Sequence, residues 1–126
     1  MANALLQHFN ESEIRHELRG FPERAVAAVL ALKETPSAER LQKAVPEILA
    51  FYLPRGTSVD LTTQPPGARL REDLGVDSLT FAEAAFKMEE LFGVRIENAE
   101  LAEIKTLGEL QTFVEKRLLD GAQSDA

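Results

Sequence analysis

Leu70-Arg71-Glu72-Asp73-Leu74-Gly75-Val76-Asp77-Ser78-Leu79-Thr80 decides how this chain folds. A loop ends in this stretch, and a helical apolar pattern starts at Leu79. The helix therefore begins at Asp77 or Ser78, and both residue types are good N-caps. The spacing puts the Ser78 hydroxyl at a solvent-facing helix N-terminus. Exposed backbone N–H groups and the helix dipole favour an anion there. Two readings stand side by side: Ser78 is a cap and nothing more, or its hydroxyl carries a phosphodiester.

Outward from this junction the chain reads as helical, with no useful length of strand-like alternation. Towards the N-terminus, Leu5 and Phe9 share a face in an opening segment from Asn3 to Phe9. Asn10 with Glu13 forms a capping box for a second segment, whose stripe is Ile14 and Leu18 and whose stop is Gly20. Pro22 suits the first position of a third helix. Val26, Val29, Leu30 and the stem of Lys33 make its buried side, and Pro36 marks the next boundary. Leu41, Val45, Ile48, Leu49 and Tyr52 then recur at helical spacing, with Pro46 expected to kink that helix or delay its regular part. Pro54 to Arg69 reads as a long loop rich in Pro and Gly.

The helix that starts at Asp77 or Ser78 runs to about Phe92, with Gly93 as its stop. At about 100° per residue, Phe81, Ala85, Met88 and Phe92 face the core together. Leu79, Ala82 and Phe86 form a second apolar ridge, bordered by Glu83 and Glu90 on one side and Glu89 on the other. One helix needs a single apolar face to pack. The second ridge is read as a docking surface beside Ser78. Asn98 caps a short helix to Glu103, and Thr106 with Glu109 caps the last one. Leu107, Leu110, Val114 and Leu118 are its stripe, with Phe113 beside it. A short polar tail covers 121–126.

Composition narrows the function classes. The 126 residues suit one domain with an appendage. No Cys is present, so there is no disulfide and no thiolate metal site, and His8 and His16 lack the acids that would make them ligands. No metal is expected. No apolar run approaches a membrane span, and no signal-peptide pattern opens the chain, so a cytoplasmic protein is the expectation. The charge is uneven: residues 72–109 hold ten acids against three bases, a balance of −7 that equals the net charge of the whole chain. Such a patch repels nucleic acid and steers basic protein surfaces towards it. No catalytic constellation appears. Asp77 beside Ser78 is no acid–base dyad, since neighbours at a helix start diverge, and Glu89 and Glu90 point different ways.

The run from Leu70 to Leu79, continued by Glu89-Glu90-Leu91-Phe92-Gly93-Val94-Arg95-Ile96, closely resembles the modification loop and following segments of acyl carrier proteins. The resemblance covers roughly residues 40 to 119. It implies an all-α fold: a four-helix bundle with a long first loop over residues 37–120, here preceded by an N-terminal helical extension over 1–36. It implies that Ser78 carries 4′-phosphopantetheine, placed there by a phosphopantetheinyl transferase, and that the arm holds acyl groups as thioesters. It implies a non-enzymatic role in fatty-acid, lipid or polyketide synthesis. The partners would be acyl-transferring, acyl-activating or ketosynthase-type enzymes with basic docking surfaces, met by Asp77, Leu79, Ala82, Glu83, Phe86, Glu89 and Glu90 of a monomer. An acyl shelter would include Ala84, Ala85, Met88, Ile96, Leu101 and Ile104. Thr80 stands where many members have an acid, Lys87 adds a positive charge, and residues 1–36 are extra. The chain thus looks like a specialised carrier more than the general one. A peptidyl or aminoacyl carrier is the alternative, disfavoured by Asp77, where those carriers more often have His. An unmodified helical adaptor is the other. For the extension, the expectation is that Val26-Leu30 packs on the bundle, while the segment before Gly20 serves a partner or stays flexible.

Overall fold

The computed structural model describes residues 9–54 and 60–120. Within them lie helices α1 (Glu11–Glu17), α2 (Glu23–Glu34), α3 (Ala38–Phe51), α4 (Ser78–Phe92), α5 (Asn98–Glu103) and α6 (Leu107–Glu115). A 3₁₀ turn (Leu61–Thr63) sits in the long loop, and a wider π-type turn (Lys116–Asp120) continues α6. Among the described residues the only extended pairing is an isolated antiparallel bridge between Arg69 and Thr106. The fold is all-α, as expected. The expected opening segment from Asn3 falls outside the described residues except for Phe9, as does the tail over 121–126.

The helix starts follow from local side-chain chemistry. Asn10 accepts from the Glu13 N–H at 2.7 Å and Glu13 accepts from the Asn10 N–H at 2.9 Å, so the first capping box forms as read. Ser37 caps α3 by accepting from the Arg40 N–H at 3.1 Å, directly after the break at Pro36. Thr106 and Glu109 make the box that opens α6. Two starts differ by one residue. Pro22 occupies the cap of α2 and Glu97, not Asn98, the cap of α5. Pro22 still supplies its carbonyl to the Ala25 and Val26 N–H groups, and Glu100 accepts from the Glu97 N–H at 2.9 Å.

Pro46 lies inside α3, which runs unbroken from Ala38 to Phe51. A mid-helix proline deprives the carbonyl four residues earlier of its donor. That carbonyl belongs to Gln42, and the Gln111 side chain on α6 donates to it at 2.9 Å. The substitute donor binds α6 to α3 at the point where the ladder is open.

α3 is the hub: α2, α4, α6 and the 3₁₀ turn all pack on it. One continuous core contains Leu41, Val45, Ile48 and Leu49 of α3, Met88 and Phe92 of α4, and Leu107, Leu110, Val114 and Leu118 at the C-terminal end. Val26, Val29 and Leu32 of α2 belong to the same core, and Leu30, expected inside, is half-buried because Leu32 takes the inner position. The expectation for the segment before Gly20 is overturned over its described part, residues 9–19. Ile14 and Leu18 are fully buried, so α1 is packed into the core rather than left free for a partner. Two further contacts fasten the extension. Phe21 stacks on Phe51 with ring centroids 3.8 Å apart, and Tyr52 meets both edge-on. Lys87 on α4 donates to the Glu17 carbonyl at 3.2 Å, a cation at the C-terminal end of α1 where the helix dipole favours it.

The long loop is strapped to the start of α6. The Leu70 N–H donates to the Lys105 carbonyl at 2.9 Å, Leu107 to Ala68 at 3.0 Å and Gly108 to Pro66 at 2.8 Å. A Cβ at position 108 would come within 2.8 Å of Pro66 Cβ, so only glycine lets the loop lie this close. Leu61 and Ala68 plug the loop into the core.

Three predictions come from this packing. Gln111→Ala should cost about 1 kcal/mol of unfolding free energy in urea titrations. That cost should disappear in a Pro46→Ala background, where the restored backbone N–H at position 46 can reclaim the Gln42 carbonyl. Ile14→Ala should cost about 2–5 kcal/mol, the range for emptying a buried Ile site. Deleting residues 1–20 should lower the melting temperature; an unchanged melting temperature would show that α1 adds nothing to the core.

Candidate functional site

The turn before α4 is built to hold one geometry. Leu70, Leu74 and Val76 are buried, which pins the turn from beneath. Gly75 has a left-handed φ of 73°, a conformation that side chains disfavour, and it lets the Val76 N–H return to the Leu70 carbonyl at 2.8 Å. Asp73 accepts from the Arg69 backbone N–H at 2.8 Å and from its guanidinium at 3.2 Å. The Arg69 hydrogen bonds hold the Asp73 carboxyl below the ordinary carboxylate range.

This turn delivers Asp77 to the cap of α4. Asp77 accepts from the Thr80 N–H at 2.8 Å, and hydrogen bonds from Thr80, with the charge of Arg71 as a lesser cause, push its pKa down. Ser78 is the first residue within the helix, exposed, with Asp77 doing the capping. Its hydroxyl is therefore not consumed by the backbone. The contact it does make is with the Arg71 side chain, whose Nη2 donates to Oγ at 3.4 Å.

Beyond Ser78 the outer face of α4 is apolar and open. Leu79 is 69% exposed and Phe86 61%, and Ala82 between them is exposed as well. Leaving two large apolar side chains mostly in water forgoes about 1–2 kcal/mol each, the exposed share of a full burial. Glu83 and Glu90 are exposed beside this strip, Glu90 pairing with Lys87 at 3.2 Å. Tyr52, raised in pKa by burial first and then by Glu90 and Glu83, lies close to the same acids. Glu89 acts elsewhere. It accepts from the Ile96 N–H at 2.7 Å and ties the loop after α4 back to the helix. Lys87 is turned towards Glu17 rather than displayed as a free positive charge on the face.

A cavity of about 560 Å³ opens at the side of Ser78. Arg71, Phe81, Leu101, Ile104 and Lys105 line it with Ser78. Phe81, read as core, is half-buried because it stands one turn from the cap and borders this opening. Of the six residues read as an acyl shelter, Leu101 and Ile104 border the cavity, while Ala84, Ala85, Met88 and Ile96 are buried in the packed core. A larger depression, about 740 Å³, lies between the Pro66 loop and α6 and does not include Ser78, so chemistry rather than size marks the site.

Sequence reasoning missed Arg71, Gln111, and the second roles of Glu89 and Lys87. Each acts across a turn or between helices, and no periodic pattern signals such a contact. No group of three or more His, Cys, Asp or Glu among the described residues could hold a metal, and no described helix is long and apolar enough to cross a membrane. An exposed hydroxyl left free by its neighbour, with a guanidinium beside it and an open cavity at its flank, fits a phosphodiester-linked arm.

Comparison with known proteins agrees with that fit. Residues 57–114 match the family described as "Phosphopantetheine attachment site". An acyl carrier protein of Thermotoga maritima is 37% identical over 60 residues, 48% of this chain and 74% of that protein. Acyl carrier protein MbtL of Mycobacterium tuberculosis is 38% identical over 63 residues, 50% of this chain and 75% of the relative. The meromycolate extension acyl carrier protein of Mycobacterium leprae is 32% identical over 68 residues, 54% of this chain and 59% of the relative. With membership come a covalent 4′-phosphopantetheine, a non-catalytic role carrying acyl groups in fatty-acid or lipid biosynthesis, and dealings with a phosphopantetheinyl transferase and acyl-handling enzymes. On the likeness to the Thermotoga carrier and the matched attachment region, this chain belongs to the acyl carrier protein family.

Proposed function

We propose that Ser78 is the residue that bears the arm, and that the chain is a specialised carrier in lipid synthesis. The observation that carries this reading is the division of labour at the helix start: Asp77 caps through Thr80, and the Ser78 hydroxyl stays exposed. Attachment would form a bond from Oγ to the phosphorus of coenzyme A. The bond to 3′,5′-ADP breaks, its electron pair leaves with the nucleotide, and the hydroxyl proton passes to the transferase. When attached, the arm supplies the thiol that a chain without Cys lacks, and so a thioester site.

The chain's own residues present and address that site. Asp77 fixes the helix start. Leu79, Ala82 and Phe86 offer an apolar strip, and Glu83 and Glu90 an acidic rim, to enzymes with an apolar notch and basic border. Glu89, already holding Ile96, would meet a partner only through its other oxygen. Residues 1–36 serve as an extension to a carrier unit over 37–120, with 121–126 as tail; the protein acts as a cytoplasmic monomer. The specialised reading rests on the extension and on Thr80, since Lys87 is engaged by Glu17 and Glu90 and offers no free charge to a partner.

Incubation with coenzyme A and a broad-specificity transferase should add the mass of one arm to the intact chain, and none to Ser78→Ala, with helical content preserved in both. Arm found on the Ala variant would refute the assignment. Phe86→Ala and Glu83→Lys should slow acyl transfer by partner enzymes, about tenfold for the charge reversal at low salt, with melting temperatures close to the parent. If Phe86→Ala instead unfolds the domain, the strip is structural.

A further inference from the structure

The geometry points to Arg71 as the cation that holds the phosphodiester formed at Ser78, an inference that rests on the assignment of Ser78 as the attachment residue. The Arg71 guanidinium is the side-chain group that reaches Oγ, at 3.4 Å. That is long for a bond to a neutral hydroxyl. A phosphate on Oγ places its non-bridging oxygens beside the same guanidinium, where charge-assisted bonds are shorter and two can form in parallel.

Of the cations bordering the cavity, Arg69, Arg71 and Lys105, it is Arg71 whose side chain reaches Ser78. Arg69, two residues earlier, is occupied by Asp73 at 3.2 Å. Arg15, Arg24 and Arg95 each pair with a glutamate at about 3 Å. Among the described residues Arg71 makes no close salt bridge; the carboxylate that feels its charge is Asp77, already bonded to the Thr80 N–H and only weakly influenced by Arg71. Its backbone is held in the turn, with the Arg71 carbonyl accepting from the Gly75 N–H at 3.3 Å and the flanking Leu70 carbonyl from Val76 at 2.8 Å. The guanidinium is therefore presented from a fixed base.

The local charge favours such a group. Attachment adds a negative charge next to Asp77, on the most acidic stretch of the chain. Asp77 directs its charge to the Thr80 N–H, and Arg71 offsets the new one. Arg71 and Ser78 both border the cavity lined by Phe81, Leu101, Ile104 and Lys105. Pinning the phosphate at Arg71 sets the root of the arm at the mouth of this cavity rather than out in solvent.

The test compares the full-length chain before and after modification, with attachment verified by intact mass. The side-chain N–H signals of Arg71 in nitrogen-15 spectra, identified by their absence in Arg71→Ala, should shift and exchange more slowly in the modified wild type. The phosphorus-31 resonance of the arm should move with added NaCl in the wild type, stay fixed in Arg71→Ala, and move again in Arg71→Lys. Unmodified wild type and Arg71→Ala should melt at the same temperature. Arg71 signals identical before and after modification would overturn the inference, as would a phosphorus resonance with the same salt response in wild type and Arg71→Ala. A wild-type chain that gains no arm would instead overturn the assignment of Ser78 itself.

Discussion

The bond from the Thr80 N–H to the Asp77 carboxylate is the contact on which the rest of the site depends. The first turn of a helix has N–H groups with no partner inside the helix. Some side chain must answer them, and serine is among the favoured choices. Because Asp77 answers, Ser78 moves one place into the helix and its hydroxyl is free. Everything upstream serves the same end. The buried Leu70, Leu74 and Val76, the left-handed Gly75 and the Arg69–Asp73 pair together fix where Asp77 stands. An exchange of roles between Asp77 and Ser78 would give a helix capped about as well, with the serine hydroxyl spent on the backbone.

The helix that bears the site is anchored from its inner side. Ala84, Ala85, Met88, Leu91 and Phe92 are buried, so the outer face is free to remain apolar and exposed without threatening the fold. The N-terminal extension strengthens this arrangement. Its Ile14 and Leu18 enter the common core, its Phe21 stacks on Phe51, and the α4 residue Lys87 reaches back to Glu17. Lys87 is thereby held against Glu17 and Glu90 rather than projecting free from the acidic face. A lysine on a docking helix would weaken attraction to a basic partner. Here its ammonium is held between the Glu17 carbonyl and the carboxylates of Glu17 and Glu90.

Much of this is legible in one dimension, and the reason is periodicity. The caps at Asn10 and Thr106, the stop at Gly93 and the stripes Leu41-Val45-Ile48 and Leu107-Leu110-Val114 are repeated local patterns that physics reads at short range. The two ridges of α4 follow from counting residues, and their burial separates as the count requires: Met88 and Phe92 inside, Leu79 and Phe86 outside. What stays hidden depends on distant partners. Nothing near Ile14 says that a core elsewhere will cover it; a short helix is marginal alone, and only the tertiary contact decides. Pro46 looks like an interruption when its helix ladder is considered by itself, without the donor that Gln111 brings from another helix. Arg71 is one of many charged residues in the string, distinguished only when the turn folds it towards Ser78.

The structure also explains how so exposed a site can stay rigid. Backbone bonds from Leu70, Leu107 and Gly108 fasten the loop to the start of α6, and these need no side chain on the partner face. Rigidity thus comes from the side of the site that faces the core, and the side that faces water is left open. Leu79 and Phe86 contribute little to folding where they are, since most of each is in water. A chain selected for stability alone would replace them with polar residues, since most natural proteins retain room for such stabilising changes at some cost to function. Two large apolar side chains exposed beside an uncapped hydroxyl are the feature on which the proposed carrier surface rests.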